Sequence, residues 1–233
     1  RRSRRRTGPH VASGTVEGFS DQYVYGRRPT GIYIPRFRNI YTDKRDYIRG
    51  FGYQGGAGRG RGVEVAELTI GADLKDALSV PGDNWGMGIT AFGEMLPYHE
   101  NKIALDKEKK DKWGLPVLSF DVEIKENEKK MRIDMMNDAK EMLEAAGVKK
   151  VEPYDHGYAV GMGIHEMGTA RMGRDAKTSV LNANNQVHGV PNVFVTDGAS
   201  MTSSACTNPS ITYMALTARA VDFAVTSMKK QNL

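Results

Sequence analysis

The residues best suited to chemistry lie in two segments of the last seventy residues. The first is a loop in which His165 lies among Gly161, Gly163 and Gly168. Glycines let a backbone approach another group closely, and an imidazole titrates near neutral pH, so His165 is a candidate proton acceptor. A structural histidine is the competing interpretation. What favours chemistry is the second segment, which supplies Asn208 as an amide partner.

The segment around Asn208 also predicts a helix start. Asn208 is a favoured N-cap, and Pro209 suits the first helical position. A predicted buried strand ends at Asp197 and Gly198 and leads through small residues to this start, where backbone N–H groups and the helix dipole can hold negative charge. Apolar residues then recur at three- and four-residue steps and predict a core-facing stripe: Ile211, Met214, Ala215, Ala218, Val221, Val225 and Met228.

A cysteine hydrolase is a minor alternative for the same region. Cys206, His165 and Asn208 contain the residue types of such an enzyme, and a thiol just before a helix N-terminus is readily activated. A small buried cysteine in a glycine- and serine-rich loop more often serves packing. We therefore place this alternative behind the pairing of His165 with Asn208.

Three familiar kinds of site are not supported by the sequence. Gly168–Gly173 has the glycine spacing of a phosphate loop, but Asp175 stands at the hydroxyl position, where its carboxylate would repel phosphate. Gly50–Gly55 spells G-x-G-x-x-G but runs into more glycine rather than a helix, so we reject it as a dinucleotide fingerprint and predict a loop or hairpin tip over 55–62. The five histidines are scattered, which predicts no metal site.

Charge and composition describe an ordinary globular chain with a basic start. Of 233 residues, 39% are hydrophobic, and 33 basic residues face 28 acidic ones. Five of the basic residues are the arginines of segment 1–6, which leaves 28 against 28 for the rest. A short arginine run without aromatics gives only non-specific attraction to anions, which argues against nucleic acid as the main partner. A non-catalytic fragment whose arginine tail binds nucleic acid stays as the competing class.

The remaining features bear on compartment and completeness. A single cysteine excludes an internal disulfide, and no apolar run approaches the ~18 residues of a membrane span. No signal peptide is visible, so a soluble protein of the cytoplasm or periplasm is expected. The chain begins with Arg1 rather than methionine. We therefore expect a fragment or a processed piece of a longer protein.

Hydrophobic patterning predicts an α+β fold in two parts. Thr30–Pro35 and Trp85–Ile124 carry strand patterns typical of an antiparallel sheet with one solvated face. Glu126–Ala146 predicts a helix that ends at Gly147, with its methionines in the core. We expect a strand-rich domain over residues 1–155 and a closing segment over 156–233.

The segments around His165 and Asn208 resemble those of a known family. Three runs are similar to the C-terminal signature of the glucose-methanol-choline oxidoreductases, which use FAD: His165–Gly173, Val187–Gly198 and Asn208–Leu216. Gly26–Pro29 and Met95–Asn101 resemble the substrate domain of that family more loosely. The resemblance implies an antiparallel-sheet substrate domain plus the C-terminal strand and helix of a Rossmann-like FAD-binding domain.

The resemblance also implies residue roles. His165 stands at the catalytic base position and Asn208 at the partner position, while Asp197 and Gly198 approach the FAD. The helix start at Asn208, Pro209 and Ser210 faces the flavin ring. The implied reaction is oxidation of a CH–OH group with hydride transfer to flavin N5, and a sugar or polyol is the expected substrate.

The resemblance finally implies partners outside this sequence. The N-terminal half of the family, with its G-x-G-x-x-G turn, is absent here, so we expect the chain alone to hold the ADP part of FAD poorly. The implied partners are therefore that FAD-binding half, the alcohol substrate, and an electron acceptor whose kind the resemblance leaves open.

Overall fold

A computed structural model describes residues 5–16, 31–61, 70–79, 81–158 and 160–233. Arg1–Arg4 of the arginine run and the resembling segment Gly26–Pro29 lie outside the described residues. The strands are β1 (Arg5–Val16), β2 (Gly31–Ile34), β3 (Phe51–Arg61), β4 (Pro81–Met95), β5 (Lys102–Lys110), β6 (Pro116–Asp121), β7 (Lys149–Asp155), β8 (Gln186–Val187) and β9 (Val190–Phe194). The helices are α1 (Ala72–Ser79), α2 (Glu126–Ala145) and α3 (Ser210–Lys229), with a 3₁₀ turn at Gly198–Ser200.

Five strands form one antiparallel sheet in the order β2-β3-β4-β1-β7. The prediction of a loop over 55–62 is wrong for its first seven residues, which belong to β3 and pair with β4. Glycine is needed in this strand because a Cβ at Gly55 would lie 2.2 Å from the carbonyl oxygen of Gly88. The local signal of glycine as a turn residue is thus overruled by close approach between strands. The G-x-G-x-x-G run of Gly50–Gly55 lies mostly within β3 and is not followed by a helix.

Helix α2 covers one face of this sheet, as its pattern predicts. The core between them is apolar and fully buried: Phe51, Tyr53, Ile89, Ala91, Met131, Met135, Ala139 and Leu143. The packing is close, since a Cβ at Gly93 would lie 2.4 Å from Cε of Met135. Gly147 follows the helix with a φ of 87°, as expected of a residue that ends a helix in the left-handed region. Ala146, predicted on the inner face, is exposed.

Polar contacts tie the loop before β3 and the segment after β4 to α2. The guanidinium of Arg38, in the loop before β3, donates two hydrogen bonds to the carboxylate of Asp138 at 2.6 and 2.7 Å. This carboxylate raises the pKa of Arg38. After β4, the buried carboxylate of Glu128 accepts from the backbone N–H of Leu96 at 3.0 Å and from the hydroxyl of Tyr98 at 3.0 Å. The sheet is therefore held to the helix at two points of α2, Glu128 and Asp138.

Strands β5 and β6 form a separate two-stranded hairpin, so the strand predictions within Trp85–Ile124 are confirmed but divide between two sheets. Leu105 pairs with Leu118 and Ile103 with Phe120 on one face. That face is solvent-accessible, because Leu105, Leu118 and Phe120 are all more than half exposed.

The C-terminal elements depart from the predictions at the strand before Asp197 and at the start of α3. The strand before Asp197 is predicted to be buried, but β9 pairs only with β8 among the described strands, and only Phe194 of its residues is partly covered. Helix α3 begins at Ser210, and its N-cap is Pro209 rather than Asn208. No described helix is both long and apolar enough to cross a bilayer.

The predicted core-facing stripe of α3 is also wrong. Ile211 is 79% exposed and Met214 is 66% exposed. The inner face instead carries Ala220, which is buried, and Phe223, whose ring packs against that of Phe194 with the centroids 6.4 Å apart. The helix is apolar on both sides, and periodicity alone does not tell which side the rest of the chain covers.

Candidate functional site

The loop that carries His165 lies against the turn that follows Asp197. The backbone N–H of Ala170 donates to the carbonyl of Ala199 at 3.0 Å, and the N–H of Met172 donates to that of Ser200 at 2.9 Å. The two segments singled out in the sequence are therefore joined by backbone hydrogen bonds, although about thirty residues separate them.

Gly198 is fitted tightly beneath this loop. A Cβ at Gly198 would lie 2.8 Å from Sδ of Met167 and 3.2 Å from the carbonyl oxygen of Glu166. The carboxylate of Asp197 accepts a hydrogen bond from the N–H of Ala199 at 2.9 Å and so closes the turn. In this chain Asp197 therefore shapes the turn, and Gly198 lets the residues next to His165 come close.

The backbone just before His165 is strained. Ile164 has a φ of 57° and its side chain is 86% exposed, and a β-branched residue rarely adopts this left-handed conformation. His165 itself is half-buried, and Met167 beyond it is fully buried. The half-buried His165 therefore lies between an exposed, strained residue and a buried one.

Asn208 lies beside strand β3 and forms a reciprocal pair with Gln54. Nε2 of Gln54 donates to Oδ1 of Asn208 at 3.2 Å, and Nδ2 of Asn208 donates to Oε1 of Gln54 at 3.4 Å. Two residues earlier, the thiol of Cys206 donates to the carbonyl of Gly50 at 3.4 Å. A Cβ at Gly52 would approach Cβ of Cys206 to 3.4 Å, so segment 206–208 runs along the strand.

Gln54 belongs to the sheet face that is turned away from α2. Tyr53 is buried against α2, and side chains alternate along a strand, so Gln54 points to the opposite face. Its cross-strand partners Tyr33 and Thr90 share that face. The sequence analysis missed Gln54, and the alternation of Phe51 and Tyr53 with Gly52 and Gln54 is the signal that could have revealed it.

The start of α3 presents backbone donors. Pro209 has no N–H, and its carbonyl accepts from the N–H groups of Thr212 at 2.9 Å and Tyr213 at 3.2 Å. Within the described part of the chain, the N–H groups of Ser210 and Ile211 have no acceptor. Two donors at the positive end of a 20-residue helix are suited to a negatively charged or electron-rich group.

A cavity of about 280 Å³ opens beside segment 206–208. It lies between the edge of the sheet and the loop before Asn208, and its lining includes Tyr33, Arg36, Glu94 and Thr207. The buried carboxylate of Glu94 is paired with Nε of Arg49 at 3.4 Å. The volume is close to the lower end of the range for small-molecule sites.

The structure thus brings His165 close to Asp197 and Gly198 in the fold, and Asn208 close to Gln54. The contacts that fix the two candidate catalytic residues run to different partners, namely the 3₁₀ turn and strand β3. In the described ranges, no group of three or more histidine, cysteine, aspartate and glutamate side chains is placed to hold a metal ion.

Comparisons with known proteins show which family this chain resembles. Residues 97–217, more than half of the chain, match the sequence profile of the family described as GMC oxidoreductase. The chain is 40% identical over 226 residues to the 2-methyl-1,2-propanediol dehydrogenase of Mycolicibacterium austroafricanum, covering 91% of this chain and 38% of the relative. It is 29% identical over 147 residues to the fructose dehydrogenase large subunit of Gluconobacter japonicus, covering 62% of this chain and 26% of the relative.

Among solved structures, the pyridoxine 4-oxidase from Mesorbium loti aligns with a TM-score of 0.41 and 13% identity, over 98% of this chain and 44% of that chain. The chain spans less than half of the length of each of these three proteins. Because the family profile covers more than half of the chain and includes His165, Asp197 and Asn208, this chain belongs to the GMC oxidoreductases.

Proposed function

We propose that this chain is the C-terminal part of an FAD-dependent oxidoreductase that oxidises a CH–OH group of a sugar or polyol. The observation that carries the proposal is the pair of backbone hydrogen bonds between the His165 loop and the Gly198–Ser200 turn, which joins the two family segments. The relatives support the substrate class, because their names refer to a diol and to fructose. Residues 1–155 form the substrate domain in this proposal, and residues 156–233 complete a Rossmann-like FAD domain.

The residues present fit the flavin end of FAD. The N–H groups of Ser210 and Ile211 have no acceptor in the described chain and would hold the electron-rich edge of the ring, helped by the helix dipole. Gly198 adds no side chain to this surface, while Asp197 holds the turn. When bound, FAD supplies the hydride acceptor at flavin N5.

The side chains of this chain would handle the proton and the oxygen of the substrate. His165, as the neutral imidazole, accepts the hydroxyl proton while the hydride leaves the carbinol carbon. Asn208 donates a hydrogen bond to the same oxygen, which stabilises the charge that develops as the proton departs. The cavity lined by Cys206 and Thr207, just before Asn208 in the chain, offers room for a small molecule.

The experiment that tests this proposal uses the intact protein. We expect it to purify with flavin absorbance that bleaches anaerobically on addition of a sugar or a diol, and we expect the 233-residue chain alone to bind FAD poorly. Intact protein that stays colourless and takes up no added FAD contradicts the proposal. Flavin that is bound but not reduced by any of a panel of sugars, polyols and simple alcohols contradicts the substrate class.

A further inference from the structure

We propose that Gln54 is a positioning residue that fixes the orientation of the Asn208 amide towards the substrate. The proposal rests on the proposed function, since it takes Asn208 as the residue that donates to the alcohol oxygen. Gln54 touches that reaction only through Asn208 and is therefore not a catalytic residue itself.

The geometry is a closed amide pair. Gln54 donates to Oδ1 of Asn208 at 3.2 Å and accepts from its Nδ2 at 3.4 Å. A turn of the Asn208 amide alone would set oxygen against oxygen and N–H against N–H, so the pair opposes that rotation. One N–H of Nδ2 and one acceptor position of Oδ1 are engaged by Gln54. The plane of the Asn208 amide is thereby fixed, and with it the direction from which Nδ2 would approach the substrate oxygen.

Gln54 is well placed to hold Asn208 because its own backbone is held firmly. It lies in β3, a strand with neighbours on both sides, opposite Tyr33 of β2 and Thr90 of β4. The residue before it, Tyr53, is fully buried, and its hydroxyl donates to the carbonyl of Met135 at 2.8 Å. Asn208, by contrast, lies in an irregular segment just before the N-cap of α3, Pro209. The rigid partner of the pair is thus Gln54.

The competing interpretation is an ordinary surface hydrogen bond between the domain and its closing segment. Such a pair would affect unfolding but would not change the chemistry once the protein is folded. Two sets of variants in the intact, FAD-loaded enzyme separate the two interpretations, and the thermal unfolding midpoint of each variant shows that it is folded.

The first set is a double-mutant cycle on anaerobic flavin reduction by the best alcohol substrate. Gln54→Ala should slow reduction about tenfold, the upper range for net hydrogen bonds of this kind. Adding Gln54→Ala to Asn208→Ala should slow it no further, because Gln54 acts through Asn208. A wild-type rate in Gln54→Ala, or effects that multiply in the double variant, overturns the proposal.

The second set uses pH as a readout. In Gln54→Glu, a protonated carboxyl can still donate to Oδ1 of Asn208, whereas the ionised carboxylate can only accept and faces Oδ1 with a lone pair. We expect a new loss of rate as pH rises through the titration of the introduced carboxyl group, and we expect this limb to vanish when Asn208→Ala is added. A limb that persists in the double variant shows that the new charge acts directly on the flavin, which overturns the proposal.

The chain offers a matched control pair. Asn182 donates to Oε1 of Gln186 at 2.8 Å, and Nε2 of Gln186 donates to the carbonyl of Pro191 at 2.7 Å. Gln186→Glu therefore keeps an acceptor, loses a donor and introduces a carboxylate, as Gln54→Glu does, at a second amide pair, in strand β8. It should show the wild-type pH dependence, and a limb like that of Gln54→Glu contradicts a specific role of Gln54. Wild-type enzyme without flavin or alcohol oxidation refutes the proposed function, and this proposal with it. Active wild type with a neutral Gln54→Ala refutes this proposal alone.

Discussion

Gly198 lies so close to Met167 that a Cβ on it would come within 2.8 Å of the Met167 sulfur. The contact matters because Met167 is two residues from His165 and is itself fully buried. The turn after Asp197 and the loop of His165 are therefore a single packed unit. A substitution that disturbs the turn should therefore also disturb the loop that carries His165.

Gly198→Ala should destabilise this unit by about 1–3 kcal/mol, because the added methyl group meets both a side chain and the carbonyl oxygen of Glu166. We also expect slower flavin reduction, as the His165 loop is displaced. Denaturant unfolding and stopped-flow reduction of the intact enzyme measure the two effects. Gly58→Ala is the control, since nothing lies within 4 Å of a Cβ there. Equal behaviour of the two variants would contradict the tight packing.

His165→Ala should slow substrate-driven flavin reduction about 10²–10⁴-fold, because general-base help is lost while FAD stays bound. His165→Gln should behave similarly, since an amide cannot take the proton. The wild-type rate should rise with pH through the titration of an imidazole, and this limb should be missing in both variants. Stopped-flow measurements across pH check this.

Exposed His99 provides the control, and His99→Gln should keep the wild-type rate and pH limb. If either His165 variant reduces its flavin within a few-fold of wild type and with the same pH dependence, His165 is a structural histidine.

Asn208→Ala should affect chemistry and leave α3 largely undisturbed. The sequence predicts a double loss, of a substrate hydrogen bond and of a helix cap, but the N-cap of α3 is Pro209. We therefore expect the unfolding free energy to fall by about 1 kcal/mol, through the lost bonds to Gln54, together with slower flavin reduction. Asn208→Asp should lower the flavin potential, because it places a carboxylate near the ring. A large drop in stability with an unchanged reduction rate would show that Asn208 is only a structural residue.

Alkaline pH should weaken the sheet–helix core through Tyr53. Burial raises the pKa of the Tyr53 phenol above its ordinary value of 10.0, and nearby Asp138 raises it further. Above pH 10 the unfolded chain loses this proton and the folded one keeps it, so stability is complete below about pH 10 and falls as pH rises beyond it.

Tyr53→Phe tests this expectation. The variant should lose about 1 kcal/mol at neutral pH, since the bond to Met135 is removed, but its stability should fall less steeply above about pH 10. The test is the free energy of unfolding of wild type and variant, measured over a range of pH around and above pH 10. An identical slope for both proteins would mean that Tyr53 does not contribute to the alkaline loss. Tyr41→Phe, at a position that is 89% exposed, is the matched control.

How much the sequence predicts depends on whether a signal is local. Helix α2 is predicted correctly because its apolar residues, such as Met131 and Met135, lie on one face of an otherwise charged helix. Helix α3 is predicted as a helix but with the wrong face inward, because apolar residues lie on both sides, Met214 outward and Ala220 inward. Periodicity specifies a covered face only where the opposite face is polar.

The glycines of β3 and the residue Gln54 illustrate the second limit. Local propensity predicts Gly55 as a turn residue. The structure shows instead that no side chain fits there, because the carbonyl oxygen of Gly88 in the neighbouring strand lies against it. Gln54 has no motif at all, because its role depends on Asn208, which is 154 residues away. The resemblance gives His165 and Asn208 their proposed roles; strand alternation could have placed Gln54 on the open face of the sheet, but not its contact with Asn208.

The outward apolar face of α3 has a practical consequence for handling this chain. Ile211, Met214 and Met228 are each about two-thirds exposed or more, and side chains of this kind in a row attract other apolar surfaces in water. We expect the isolated chain to self-associate as its concentration rises, to engage chaperones during expression, and to bind the dye ANS. Light scattering that grows with concentration, and that falls after Met214→Lys, would identify α3 as the surface through which the chain self-associates.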